Sequence, residues 1–159
     1  MSPMTLHEFD RENVCKVLRA ARSADADELR AQVFNDGIDA LADNFLRSRG
    51  FKFCLGLPGE PVACVGVEEI HPRVWQAWMF ATDDFPLIAG GVTRFIRRHV
   101  IPAVERLDAH RCHAIAAQDN TPACRWLEVL GAKKEAILAR YGRDGETFVM
   151  YRWDRRVQN

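Results

Sequence analysis

The residues able to do chemistry are few and sit mostly in the second half of the chain. Gly90-Gly91 precedes a long amphipathic stretch. A helix start there offers free backbone N–H groups and the positive end of the helix dipole to an anion. A glycine pair also suits any helix that begins from a tight turn, so both readings stand. Asp83 and Asp84 are placed either to bind a cationic substrate or to stand as solvated loop acids. Glu68 and Glu69 are further carboxylates near the central segments, and a base must lie within reach of the proton it takes. His110, Cys112 and His113 carry metal-binding side chains. Strand alternation puts His113 on the face opposite the other two and no fourth ligand is evident, so no metal site is expected. Ser2, Ser23 and Ser48 lie in no Gly-x-Ser-x-Gly elbow, which argues against a serine hydrolase. Cys124 reads as a small buried hydrophobe.

The elements that must position these residues follow from periodicity and punctuation. Met4 to Phe9 alternates as a first strand. From Arg11 to Leu46 the pattern is helical, with a break at Ser23–Asp27 and with Gly37 and Gly50 as the ends of two helices. Phe51–Leu55 and Val62–Val67 read as an antiparallel hairpin around the turn 57–61. After a turn at His71–Arg73, Val74–Ala81 forms a strand on which Trp75 and Trp78, three apart, face opposite sides. The helix after Gly91 buries Val92, Phe95, Ile96, Val100, Ala103, Val104 and Leu107, and Pro102 is expected to kink it. Cys112–Ala117 is a strand. Thr121 caps the next helix, with Pro122 in its first turn and Gly131 at its end. Strands at Ala136–Tyr141 and Thr147–Trp153 flank the hairpin turn Arg143-Asp144-Gly145. The order β-α-α-β-β-β-α-β-α-β-β predicts an α/β (α+β) fold with helices packed on a mixed sheet.

Composition narrows the partners. The 159 residues suit one domain spanning 1–159, with no linker or repeat. Lys plus Arg and Asp plus Glu number 22 each. That balance argues against a protein that coats nucleic acid or anionic membrane. The local basic clusters Arg94, Arg97, Arg98 and Arg152, Arg155, Arg156 read as a solvated helix face and a charged tail. No apolar run has the length of a membrane span, and the N-terminus reaches charge by Glu8 without a secretory apolar region. The five cysteines, odd in number and irregularly spaced, suit reduced thiols in a cytoplasm.

The element order, and the segment Asn120-Thr-Pro-Ala123-Cys-Arg-Trp126-Leu127-Glu-Val-Leu130-Gly131-Ala132, resemble the GNAT (Gcn5-related N-acetyltransferase) family. The resemblance implies a mostly antiparallel central sheet of about seven strands flanked by about four helices. It implies acetyl-CoA as cofactor and a small-molecule or protein amine as acceptor. The strands Val74–Ala81 and Cys112–Ala117 would splay to admit the pantetheine arm, which pairs along Met79, Phe80 and Ala81. The pyrophosphate would rest at Ala89, Gly90, Gly91 and Val92, and Asn120 would contact the arm. A closer resemblance covers Trp78 to Tyr151, through Ala81-Thr82-Asp83, Arg125-Trp126-Leu127 and Arg143-Asp144-Gly145. It is to small GNAT-like internal virion proteins of short-tailed bacteriophages, which implies virion or host proteins as partners and a bacterial host cytoplasm or a virion as location. The chain departs from the family pattern twice. Phe85–Gly91 lacks the Arg or Gln that leads the phosphate loop, and Leu127 stands where many members have a tyrosine that protonates the leaving thiolate.

Overall fold

The computed structural model describes residues 4–154; Arg155 and Arg156 of the basic tail lie outside that range. Seven strands form one sheet in the order β1-β2-β3-β4-β5-β7-β6. They are β1 Thr5–His7, β2 Gly50–Leu57, β3 Glu60–His71, β4 Val74–Ala81, β5 Arg111–Ala117, β6 Lys133–Leu138 and β7 Phe148–Trp153. All neighbours are antiparallel except β4 and β5. Helices α1 Arg11–Arg19, α2 Ser23–Ala31 and α3 Ile38–Arg47 join β1 to β2. A long helix joins β4 to β5, built from α4 Ala89–Phe95, a π-helical turn Ile96–Val100 and α5 Ile101–Glu105, and α6 Thr121–Val129 joins β5 to β6. No helix among the described residues is long and apolar enough to cross a membrane.

Two apolar layers hold the helices to the sheet. Asp10 starts α1 by accepting the Asn13 N–H at 2.9 Å, as a capping carboxylate does. Val14, Val17 and Leu18 then pack with Leu41 and Ala42 of α3 on Cys54, Cys64 and Phe80. Phe45 lies 4.6 Å from the Trp78 ring and 4.7 Å from Phe80. Trp78 fits because its neighbour on β3 is Gly66, where a Cβ would sit 2.2 Å from the indole. On the other face Ile88, Val92, Ile96 and Val100 meet Leu55, Val65, Val67 and Trp75. The two tryptophans of β4 therefore face opposite layers, as their spacing requires.

The helix α6 closes the second layer. Leu127 packs on Ala114, Ala116, Val149 and Tyr151. Trp126 stands edge-on to Phe85 at 5.8 Å and donates from Nε1 to Thr93 Oγ1 of α4 at 2.9 Å. Gly131, at φ 93°, ends the helix, with its N–H on Glu128 O and the Ala132 N–H on Leu127 O, a glycine C-terminal cap. Because Trp126 ties α6 to α4 by both area and a hydrogen bond, Trp126→Ala should destabilise the fold by about 3 kcal/mol. Chemical denaturation measures this, and an unchanged midpoint would take α6 out of the core.

Several elements differ from the sequence expectation, each for a local reason. Residues 11–47 form three helices rather than two. The chain breaks at Ala20–Arg22 because Ala21 bridges Thr82 and the Arg22 N–H bonds Ala81 O. Ser23–Asp27 is thus the start of α2 and not a break. Gly37 begins α3, and Gly50, at φ 139°, opens β2. Asn120 rather than Thr121 caps α6. Both residue types cap well, but the chain turns at Asn120, whose Oδ1 faces the Ala123 N–H. The long helix is disturbed before Pro102, by the π turn at Ile96–Val100, where a wider turn relieves the clash of the proline ring with the carbonyl four residues back. The sixth strand starts at Lys133, three residues earlier than expected. It ends at Leu138, since Arg140 turns at φ 56° and the Tyr141 and Gly142 N–H groups both bond Glu146 O.

Candidate functional site

The site begins with the one parallel pairing in the sheet. β4 and β5 pair over only three positions, Val74–Arg111, Trp75–Cys112 and Gln76–His113. Beyond them the strands part, and no pairing bridges Ala77–Ala81 to Ala114–Ala117. The gap opens under the π-helical turn, α5 and α6 into a cavity of about 270 Å³ whose apolar wall includes Val65, Met79, Val100, Trp126, Leu130 and Trp153; the first turn of α4 lies outside that lining. Its polar wall includes Glu105, His110, Arg111 and Asp154 and, from the α2 region, Arg22, Asp25 and Glu28, which belong to no motif of the sequence.

These three side chains meet the parted strands directly. The Ala81 N–H donates to Asp25 Oδ2 at 2.8 Å, and the Arg22 N–H donates to Ala81 O at 2.8 Å. Arg22 Nε and Nη2 also donate to Asp25 Oδ2, at 3.0 and 2.8 Å, so the buried Asp25 is paired. Across the gap the Ala117 N–H and Asn120 Nδ2 both donate to Glu28 Oε1, at 2.8 and 2.9 Å. Burial pushes the Glu28 carboxyl up to about 7, against the pull of the Ala117 and Asn120 hydrogen bonds; the Asp25 charge adds to the rise and Arg22 opposes it.

A raised carboxyl pKa in the fold means that folding favours the neutral acid. The stability this contributes is complete below the unfolded value of about 4.3 and is lost as pH climbs through about 7. Glu28→Gln keeps an acceptor and removes the titration. The variant should therefore gain stability relative to wild type between pH 5 and pH 8. Denaturation midpoints at both values check this, and a pH-independent difference would mean an ordinary carboxyl.

The residues singled out from sequence divide into three groups. Met79 lines the cavity, whereas the Phe80 side chain lies fully buried in the opposite layer, leaving only its backbone near the gap. Ala81 presents its N–H and C=O to the gap, where α2 holds them. Ala89, Gly90, Gly91 and Val92 form the first turn of α4, with Val92 in the core and Gly90 exposed. A Cβ on Gly90 meets nothing within 4 Å, while one on Gly91 would sit 2.9 Å from the Met4 Cβ. Gly91 is therefore needed for packing and Gly90 is not. Asn120 is buried, occupied by Glu28 on one side and by the α6 N-terminus on the other.

Of the other candidates, only His110 and Cys112 line the cavity. Asp83 and Asp84 are exposed beside the short turn Phe85–Leu87. Glu69 accepts the Arg73 N–H at 2.8 Å, and the Glu68 carboxyl is raised by burial without facing the cavity. Cys112 lines the cavity, while His113 accepts from Arg111 Nε at 3.0 Å and is held below its ordinary range chiefly by burial. No group of three His, Cys, Asp or Glu placed to hold a metal occurs among the described residues. Asp25 and Glu28 left one usable signal in the sequence, two acids three apart and thus on one helix face, but many surface helices share it.

No protein-family profile matches the sequence, and no curated protein matches it. Solved structures do match. The ribosomal-protein-S18-alanine N-acetyltransferase from Escherichia coli superposes with a TM-score of 0.69 at 18% identity, over 100% of this chain and 97% of that one. An acetyltransferase of the GNAT family from Bacillus anthracis gives 0.67 at 14%, over 96% and 95%. RimL, a ribosomal L7/L12 alpha-N-protein acetyltransferase in complex with coenzyme A, gives 0.70 at 11%, over 96% and 94%. At these identities the likeness is one of fold. The fold is the GNAT fold, a mixed, mostly antiparallel seven-stranded sheet with helices on both faces.

Proposed function

We propose that the chain is a single-domain N-acyltransferase-like protein that takes acetyl-CoA into the gap between β4 and β5 and passes the acyl group to an amine. The observation that carries this is the parting of the parallel strands after three pairs, over an apolar cavity walled by the π-helical turn, α5 and α6. Acetyl-CoA, when bound, supplies an activated thioester. Met79, Phe80 and Ala81 would run beside its arm, and the first turn of α4, from Ala89 to Val92, would receive its pyrophosphate on the N–H groups of Ala89, Gly90 and Gly91, the Val92 N–H being bonded to Ile88 O. Asn120 would border the arm from the β5 side. The cavity walls would exclude water and align a small-molecule or protein amine with the carbonyl, so that rate comes from positioning and backbone polarisation. Isothermal titration with acetyl-CoA tests the reading, with micromolar binding expected and no detectable binding overturning it.

A second reading has its own support. The polar groups that an arm would use at Ala81, Ala117 and Asn120 are already bound by α2, and the leading Arg or Gln of the phosphate loop is missing. Both suit a catalytically inactive protein that keeps the fold as a phage virion component or host-interaction module, since fold alone does not fix function. Cofactor titration separates the two readings.

A further inference from the structure

Backbone groups in a parted sheet need partners, and the two strands turn theirs toward each other here. The Thr82 N–H bonds Val62 O on the β3 side, so by alternation Ala81 points its N–H and C=O into the gap. The Gln118 N–H bonds Thr147 O beside β7, so the Ala117 N–H points into the gap from the opposite bank. Asp25 and Glu28 lie three residues apart on one face of α2 and reach the two banks separately, each at 2.8 Å. The Arg22 N–H completes the set on Ala81 O, in the donor-and-acceptor pattern that an added strand or an amide chain would make.

We propose that α2 is an intramolecular occupant of the cleft mouth, and that a thioester arm enters only when this helix withdraws from Ala81 and Ala117. The inference rests on the acyl-CoA reading of the cleft. A backbone N–H directed at Asp25 or Glu28 is not free for an arm amide, so ligand and helix compete for the same groups. The hold of α2 on the body suits withdrawal. Its buried residues are Asp25 and Ala31 alone, with Leu29 only partly buried against the α1–α3 layer. Polar contacts rather than an apolar stripe keep it in place, the mark of an element that opens at low cost. The Arg143 N–H on Ala31 O, at 2.8 Å, ties its far end to the β6–β7 loop.

Calorimetric titration with acetyl-CoA is run on wild type and on Asp25→Ala/Glu28→Ala, with hydrogen exchange of Ser23–Ala31 in wild type with and without acetyl-CoA. The double variant should bind at least about tenfold more tightly, and the α2 amides should exchange faster in the wild-type complex. Equal affinities, or α2 amides that stay protected in the complex, overturn the gate and leave the acyl-CoA reading intact. Absence of binding by both proteins overturns both. Should the double variant fail to fold, exchange in wild type decides alone.

Discussion

Gly90→Glu is expected to weaken acetyl-CoA binding by about 100-fold or more, equivalent to about 2.7 kcal/mol, while leaving the fold as stable as before. The two halves of this expectation have separate causes. Gly90 is the second residue of α4, and a Cβ there meets no atom within 4 Å. Glutamate is a better helix former than glycine by roughly 0.5–1 kcal/mol, and an acid in the first turn suits the helix dipole. Stability should therefore hold or rise. Binding should fall because the new carboxylate would stand among the N–H groups proposed to receive the pyrophosphate and would repel it. The contrast with Gly91 makes the test clean, since a side chain there collides with Met4 and would confound packing with binding. Equal affinity in wild type and Gly90→Glu would place the phosphates elsewhere on the protein.

The architecture was readable where local pattern and tertiary need agree. Trp75 and Trp78 on opposite layers, the glycine-capped end of α6 and the parting of β4 from β5 all follow from alternation, from glycine at a left-handed position or from the family resemblance. The segmentation of residues 11–47 was not readable. α1 ends where it does because Ala21 and Arg22 pair with β4, a contact that no window of local sequence contains. The same holds for β6, whose limits are set by pairing with β7 and by the backbone turn at Arg140.

The candidate site was legible in its walls and illegible in its polar groups. The motif pointed to Asn120 and Gly90-Gly91 because capped helices carry local signatures. Asp25 and Glu28 carry none. Their distinction lies in what they touch, backbone N–H groups 56 and 89 residues further along the chain. The motif does not reveal what Asn120 bonds within the fold. An asparagine preceding a helix caps it, and here capping and the grip on Glu28 occupy both ends of its amide.

Leu127→Tyr is expected to raise turnover in any acyl transfer that the wild type performs, by up to about 10²-fold, the lower end of what a positioned general acid supplies. Leu127 is 8% exposed and lines the cavity, packed on Ala114 and Ala116. Those small neighbours leave the added ring a path along the cleft, and overpacking should cost about 1–3 kcal/mol. A phenol there would stand beside the leaving sulfur of a bound thioester. Tyr151 cannot take this role from β7, since burial raises its hydroxyl to about 12 beside Cys124 and it does not line the cavity. The departing thiolate has a pKa near that of cysteine, about 8.5, so water can protonate it and the wild type need not be inert. Thiol release from acetyl-CoA, followed with a panel of small amines and N-terminal peptides on both proteins, measures the gain. Equal rates would mean that protonation of the thiolate does not limit turnover. Cofactor binding without thiol release from either protein would leave the cleft as a retained binding site on a protein whose work is interaction. That outcome would agree with a leucine standing at the α6 position where many GNAT proteins carry a tyrosine.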